Sequence, residues 1–222
     1  MAETVLVPGG RDVRASLDEA DGTDATACVV ACPPHPQHGG HRGDDRLVAV
    51  SDELTARGVD CLRFDYGAWD EGRGEKADAT NAVAWARERY DRVGLFGFSF
   101  GATTALLAVA EGADADADAD ERSSSCRRTQ SVAAVSALAP TARLAQDLDV
   151  VASFDDIPVP VQVLYGTRDD TVEWGPVVER ARETQQSVVE FSADHFFIGQ
   201  AGKVAVRVAD FLLPFLQVAD SR

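Results

Sequence analysis

Lysine is nearly absent from this chain: of 21 basic residues only Lys76 and Lys203 are lysines, and arginine supplies the rest. Against them stand 37 aspartates and glutamates, so the 222 residues carry a formal net charge of -16. So strong a charge of one sign repels the phosphates of nucleic acid and the headgroups of anionic membranes, and neither is expected as a partner. Long apolar runs are also missing. No stretch approaches the roughly 18 residues of a membrane-spanning helix. The residues after Met1 lack the basic region and apolar segment of a targeting signal, so a cytoplasmic location is expected. Cysteine is scarce: Cys28, Cys32, Cys61 and Cys126 are too few to staple a chain of this length. Cys28 and Cys61 lie in apolar, strand-like runs and read as small core residues rather than redox centres. With 45% hydrophobic residues, the chain suits one globular domain over 1–222.

What is present is an alternation of two periodicities. Val5 and Val7, then Val13, Ala15 and Leu17, flank Pro8-Gly9-Gly10 in the pattern of an antiparallel hairpin. Short continuous apolar runs follow at Ala27–Ala31, Val59–Phe64, Val93–Phe96, Ser131–Leu138, Val161–Tyr165 and Ser187–Phe191, as in strands buried on both faces. Helical patterns lie between them over Asp44–Arg57, Ala77–Tyr90, Ala102–Glu111 and Glu173–Thr184. This order predicts an α/β fold with a mostly parallel, doubly wound sheet and helices on both faces. Two segments interrupt it. The repeat Asp114-Ala115-Asp116-Ala117-Asp118-Ala119-Asp120 offers no core face, and 112–130 is expected to be a disordered acidic insertion. It lacks the glycine turn and closing glutamate of a calcium loop. Leu144, Leu148, Val151 and Phe154 recur at helical spacing, which suits either a small cap element or ordinary packing.

The stretch with the most chemical content is Gly97-Phe98-Ser99-Phe100-Gly101, set between a strand and a helix. A serine on such a sharp turn is pushed out above the sheet, while the glycines let neighbouring elements approach; the alternative is that Ser99 only caps a helix. Two later loops bear on this choice. The strand ending at Tyr165 runs into Gly166-Thr167-Arg168-Asp169-Asp170, and the strand ending at Phe191 runs into Ala193-Asp194-His195. A carboxylate and an imidazole would thus stand on the same rim of the sheet as Ser99. Three of the four histidines lie in Cys32–Asp44, but prolines and glycines between His35, His38 and His41 forbid one helix presenting them to a metal, and no cysteine or carboxylate completes a first shell. The segment reads instead as a loop lending a backbone N–H to an oxyanion site. Pro36 has no N–H, which leaves Gln37 as the expected donor, paired with the N–H of Phe100. Tyr66 and Trp69 follow the strand ending at Phe64 and are candidates for the substrate pocket, or they simply cover the sheet edge.

The chain resembles the α/β-hydrolases of the dienelactone hydrolase-like group, in its His-Pro loop, its Gly-Phe-Ser-Phe-Gly elbow and its Asp194-His195-Phe196-Phe197 ending. The likeness spans nearly the whole chain apart from the acidic insertion. It implies Ser99 as nucleophile, His195 as base and Asp169 as acid, in the order Ser, Asp, His typical of this fold. Asp169 is preferred to Asp170 because it fits the group's Gly-x-x-Asp-x-x-Val pattern through Gly166 and Val172. There are departures. True dienelactone hydrolases carry cysteine in the elbow, and relatives read His-Pro-His-Pro where this chain has Pro33-Pro34-His35-Pro36. The resemblance implies a serine hydrolase of small ester-like substrates that works through an acyl-enzyme without a metal or cofactor. Thioesterases, acyltransferases and peptidases share the triad, and a non-catalytic binding protein on the same fold is the alternative of another class. Oligomeric state is not legible.

The acidic, lysine-poor balance also resembles that of proteins from salt-loving microbes, in which concentrated salt screens self-repulsion. The melting temperature is therefore expected to rise from low salt to molar KCl. A melting temperature that stays flat or falls with KCl would contradict this reading.

Overall fold

The computed structural model describes residues 3–21, 25–117 and 132–217. Among these residues lie ten strands, most of them separated by helices. β1 (Glu3–Val7) and β2 (Val13–Asp18) form the expected antiparallel hairpin, with Val5, Val7, Val13, Ala15 and Leu17 turned inward. β3 (Ala27–Cys32), β4 (Asp60–Asp65), β5 (Arg92–Phe98) and β6 (Val135–Leu138) follow; β7 (Arg143–Ala145) and β8 (Leu148–Asp149) form a separate small ribbon; β9 (Val161–Gly166) and β10 (Ser187–Phe191) complete the main sheet. That sheet has eight strands in the order β1-β2-β4-β3-β5-β6-β9-β10, and all pairs from β4 to β10 are parallel. Every residue of β3, β6 and β9 is buried, which is why these strands read as continuous apolar runs instead of alternating ones.

Helices cover both faces. α1 (Asp45–Thr55) starts at Asp44, whose carboxylate accepts the Arg46 N–H at 2.9 Å, and the chain turns away at Gly58 with φ +82°. α1 buries Leu47, Val50 and Leu54 on one face together with the C-terminal helix Ala201–Leu216, which buries Val204, Val208 and Leu212. The opposite face carries α2 (Arg73–Arg87), α3 (Phe100–Ala117) and the helix Gly175–Glu183. α2 begins four residues before the expected Ala77. The Glu75 carboxylate accepts the N–H groups of Gly72 at 2.8 Å and Asp70 at 2.9 Å, so the glycine-rich stretch is wound into the first turn. α3 runs on to Ala117; the rest of the expected acidic insertion, 118–130, lies outside the described residues. No helix among the described residues is long and apolar enough to cross a membrane.

The segment around Leu144 to Phe154 differs from the expected single helix. β7 and β8 pair across a tight turn, Arg143 is bonded to Asp149 across the ribbon, and the Asp149 carboxylate then accepts the Ala152 N–H at 3.1 Å to start α4 (Val150–Ser153). The inward side chains are Leu148, Val150 and Phe154, a set that a ribbon followed by one helical turn satisfies as well as a helix does. The Gly175–Glu183 and Ala201–Leu216 helices are α5 and α6 in chain order.

One contact in this fold sets the position of everything above the sheet. α3 springs directly from β5 and passes over the end of β3, where a Cβ on Gly101 would lie 2.2 Å from the Cys32 carbonyl oxygen. A Cβ on Gly97 would lie 2.3 Å from the Gly101 carbonyl oxygen. Gly101→Ala is expected to destabilise the protein by about 3 kcal/mol in urea unfolding, as overpacking against backbone does. Gly202→Ala on α6, where a Cβ meets nothing within 4 Å, is expected to be neutral or to stabilise by about 0.5–1 kcal/mol. Equal effects at the two positions would contradict the contact.

Candidate active site

Ser99 sits at the junction of β5 and α3 with φ +56°, in the left-handed region that a non-glycine residue seldom adopts. Its N–H donates to the Leu138 carbonyl at 2.8 Å, and its own carbonyl accepts from Ala102 and Thr103 at 2.9 and 3.2 Å. Backbone bonds on both sides therefore hold a strained residue in place, which aims its hydroxyl away from the sheet. Ser99 opens the helix, but it does not act as an ordinary cap, because its Oγ faces His195 Nε2 at 2.9 Å.

The other two groups arrive from β9 and β10. Gly166 ends β9 where a Cβ would lie 2.5 Å from the Ala193 carbonyl oxygen, and the Thr167 and Arg168 N–H groups donate to the carbonyls of Phe191 and Ala193 at 2.9 and 3.0 Å. The two loops are thus sewn together through backbone. On the first, Asp169 Oδ1 accepts the N–H groups of Thr171 at 2.9 Å and Val172 at 3.4 Å, which turns Oδ2 toward His195 Nδ1 at 2.7 Å. The Trp174 indole N–H donates to the Asp169 carbonyl at 2.9 Å. Asp170 is exposed and takes no part in this chain of contacts. Ser99, Asp169 and His195 are only 8%, 8% and 6% exposed. The structure thus brings together three residues that are far apart in sequence, with the imidazole between a hydroxyl and a carboxylate.

Above Ser99 opens a cleft of about 660 Å³. The loop after β3 forms one wall, wound tightly about the His35 carbonyl, which accepts the N–H groups of His38 and Gly40, each at 3.0 Å. The Gln37 N–H donates to His35 Nδ1 at 3.2 Å; Gln37 is exposed and is not part of the cleft wall. The short helical turn over Pro36–His38 thus directs the N–H of Gln37, the expected oxyanion donor, back onto the imidazole. The backbone N–H groups of His35 and Phe100, both cleft residues, have no hydrogen-bond partner among the described residues. Burial, and then the neighbouring His38, lower the His35 pKa below the ordinary imidazole value, in keeping with an Nδ1 that accepts a hydrogen bond. His41 turns elsewhere, its Nδ1 accepting the Gly43 N–H at 3.0 Å. Among the described residues no group of three or more His, Cys, Asp or Glu is arranged to hold a metal ion.

Of the two aromatic candidates, Trp69 lines the cleft and Tyr66 does not. Tyr66 stands behind the wall, with its hydroxyl donating to the Pro33 carbonyl at 3.2 Å and its ring edge-on to Phe100 at 5.6 Å. It braces the loop, because the β4 strand end points it at the backbone of β3. Cys28 and Cys61 are fully buried, and burial raises both thiols, Cys61 to about 12.

Sequence reasoning missed Arg46. Its guanidinium lies 4.5 Å from the centroid of the Phe98 ring, and its Nη1 donates to the Phe196 carbonyl at 3.3 Å, so it links the residues beside Ser99 and His195. Nothing in the pattern of α1 distinguishes it from a surface arginine. Glu75 and Asp78 were missed as well, although glutamate three residues after a turn glycine has capping-box spacing.

No protein-family model matches the chain, and no curated protein matches it in sequence. Solved structures do. A lidless α/β serine hydrolase from Xanthomonas campestris superposes with a TM-score of 0.76 at 20% identity, covering 98% of this chain and 96% of its own. A dienelactone hydrolase from Anabaena variabilis gives 0.73 at 20% identity, covering 98% and 99%. An esterase from Pyrococcus furiosus gives 0.72 at 18% identity, covering 98% and 92%. Together with the strand order and the parallel sheet, these likenesses show that the chain has the α/β-hydrolase fold.

Proposed function

We propose that this protein is a serine hydrolase of carboxylic esters, with Ser99 as nucleophile, His195 as general base and acid, and Asp169 as the group that orients the histidine. The observation that carries the reading is the unbroken line Ser99 Oγ, His195 Nε2, His195 Nδ1, Asp169 Oδ2, with separations of 2.9 and 2.7 Å. With Nδ1–H donating to Asp169, Nε2 is the basic nitrogen and faces the serine. It takes the Ser99 proton as Oγ bonds to the ester carbonyl carbon. The Asp169 carboxylate stabilises the imidazolium that results, and that imidazolium returns its proton to the departing alcohol oxygen. Water, deprotonated by the same nitrogen, then bonds to the acyl carbon, the bond from that carbon to Ser99 Oγ breaks to release the acid, and Oγ takes the proton back from His195.

The carbonyl oxygen becomes an anion in both steps and needs donors. The N–H of Phe100, at the start of α3, is one. The second, on this reading, is the N–H of His35 in place of that of Gln37, because His35 lines the cleft and its N–H is not otherwise engaged. Such a donor contributes roughly 3 kcal/mol to transition-state stabilisation in enzymes where it has been removed. The ester class is supported by the fold shared with an esterase and serine hydrolases.

Ser99→Ala is expected to lower p-nitrophenyl acetate hydrolysis by at least about a thousandfold and to remove labelling by a fluorophosphonate, which in the unaltered protein maps to the Ser99 peptide by mass spectrometry. A variant that keeps either property would contradict the assignment.

A further inference from the structure

A chain of aromatic rings runs from the core to the mouth of the cleft. Phe64 is fully buried and meets Tyr66 edge-on at 5.2 Å; Tyr66 meets Phe100; Phe100 meets both His35 and Trp69, at 4.8 and 5.8 Å. His35 in turn stacks with His38 at 4.4 Å and packs against Trp69 at 4.7 Å. Trp69 ends this chain at the cleft wall and is 37% exposed. Trp69 is not an isolated exposed ring: Phe196, 52% exposed, lines the same cleft, and apolar surface gathered in a concave site points to recognition where a lone exposed ring would not.

The loop that carries Trp69 is not free to fold it away. The Gly67 N–H donates to Asp78 Oδ2 at 2.9 Å, Arg11 Nε donates to Asp78 Oδ1 at 2.7 Å, and Arg11 Nη2 donates to the Ala68 carbonyl at 2.5 Å. On the other side Glu75 holds the N–H groups of Asp70 and Gly72. Both carboxylates are completely buried, an unfavourable placement that these bonds offset. The backbone on each side of one exposed tryptophan is thus fixed by a buried acid, which presents the ring in a set orientation.

The charges of the cleft define the rest of the ligand. Its two arginines each have an acidic partner, Arg46 Nη2 to Asp44 at 2.5 Å and Arg143 Nε to Asp149 at 3.0 Å, while the buried Arg46 Nε has no hydrogen-bond partner among the described residues. Glu173 adds a negative charge to the wall, in a molecule of net charge -16. A substrate carboxylate or phosphate would compete with Asp44 and Asp149 for these arginines and be repelled by Glu173, a cost that a neutral group avoids.

We propose that Trp69, on the platform it shares with His35 and His38, binds an uncharged aromatic ring of the substrate by stacking. This rests on the serine hydrolase reading for the reaction and names the substrate class as neutral aryl esters.

The test is titration calorimetry of the full chain with 3-phenylpropanamide and with 3-cyclohexylpropanamide, neutral amides that differ only in ring saturation. The platform predicts binding of the aryl amide about fivefold tighter than of the cyclohexyl amide. Trp69→Ala erases that preference and Trp69→Phe retains most of it, with a thermal melt confirming that both variants are folded. Equal or tighter binding of the cyclohexyl amide, a preference that survives Trp69→Ala, or no binding of either amide would overturn the proposal. In parallel, kcat/KM for methyl 3-phenylpropanoate should exceed that for methyl 3-cyclohexylpropanoate. Ester hydrolysis with no aryl preference refutes the platform and leaves the hydrolase reading intact. Aryl-selective, Trp69-dependent binding by a protein that a fluorophosphonate does not label refutes the hydrolase reading and leaves the platform.

Discussion

Contact between backbones at the carboxyl end of the sheet is the constraint on which the rest of the structure depends. At Gly97, Gly101 and Gly166 a single methyl group would collide with a carbonyl oxygen at 2.2–2.5 Å. The first two positions let α3 rise from β5 across the end of β3, which forces Ser99 into its left-handed conformation and lifts its hydroxyl. The third lets the loop after β9 lie against the loop after β10, which brings Asp169 to His195. Side-chain chemistry at the site follows from this packing, because none of the three residues could reach its partner if either pair of segments were separated by a Cβ. Strain of this kind persists only where the surroundings over-determine it, and here the sheet hydrogen bonds of β3, β5 and β9 do so.

Buried charge performs a second kind of positioning. Glu75 and Asp78 lie on one turn-spaced face of α2 and hold the backbone of 67–72, while Arg46 spans from the ring of Phe98 to the carbonyl of Phe196. These groups do not touch the line from Ser99 to Asp169, yet they set the cleft walls on either side of it. In a chain with so few basic residues relative to acidic ones, the arginines that line the cleft are committed to particular carboxylates.

The parallel strands were legible because burial on both faces removes alternation, as in Ala27–Cys32 and Val161–Gly166. The order Ser99, Asp169, His195 was legible because the fold delivers each residue at the end of a strand. Other features were not, for physical reasons. Leu144 to Phe154 has a spacing that a helix and a short ribbon both satisfy, and in the ribbon that forms Arg143 pairs with Asp149. Gln37 looked like a donor because proline excluded its neighbour, but the direction of its N–H depends on how His35 folds back, which no local pattern shows. Tyr66 and Trp69 are close in sequence and of similar type, and only the path of the loop puts one behind the wall and the other on it. The C-terminal helix α6, with Val204, Val208 and Leu212 inward, was not among the expected helices.

The central claim is that Ser99 and His195 act as one unit and do not contribute separately. Residues coupled in this way are strongly non-additive when removed. The most direct measurement is therefore a double-mutant cycle on kcat for p-nitrophenyl acetate, comparing Ser99→Ala, His195→Ala and the double variant. The account predicts that each single substitution is about as damaging as both together. Losses that simply add would contradict it.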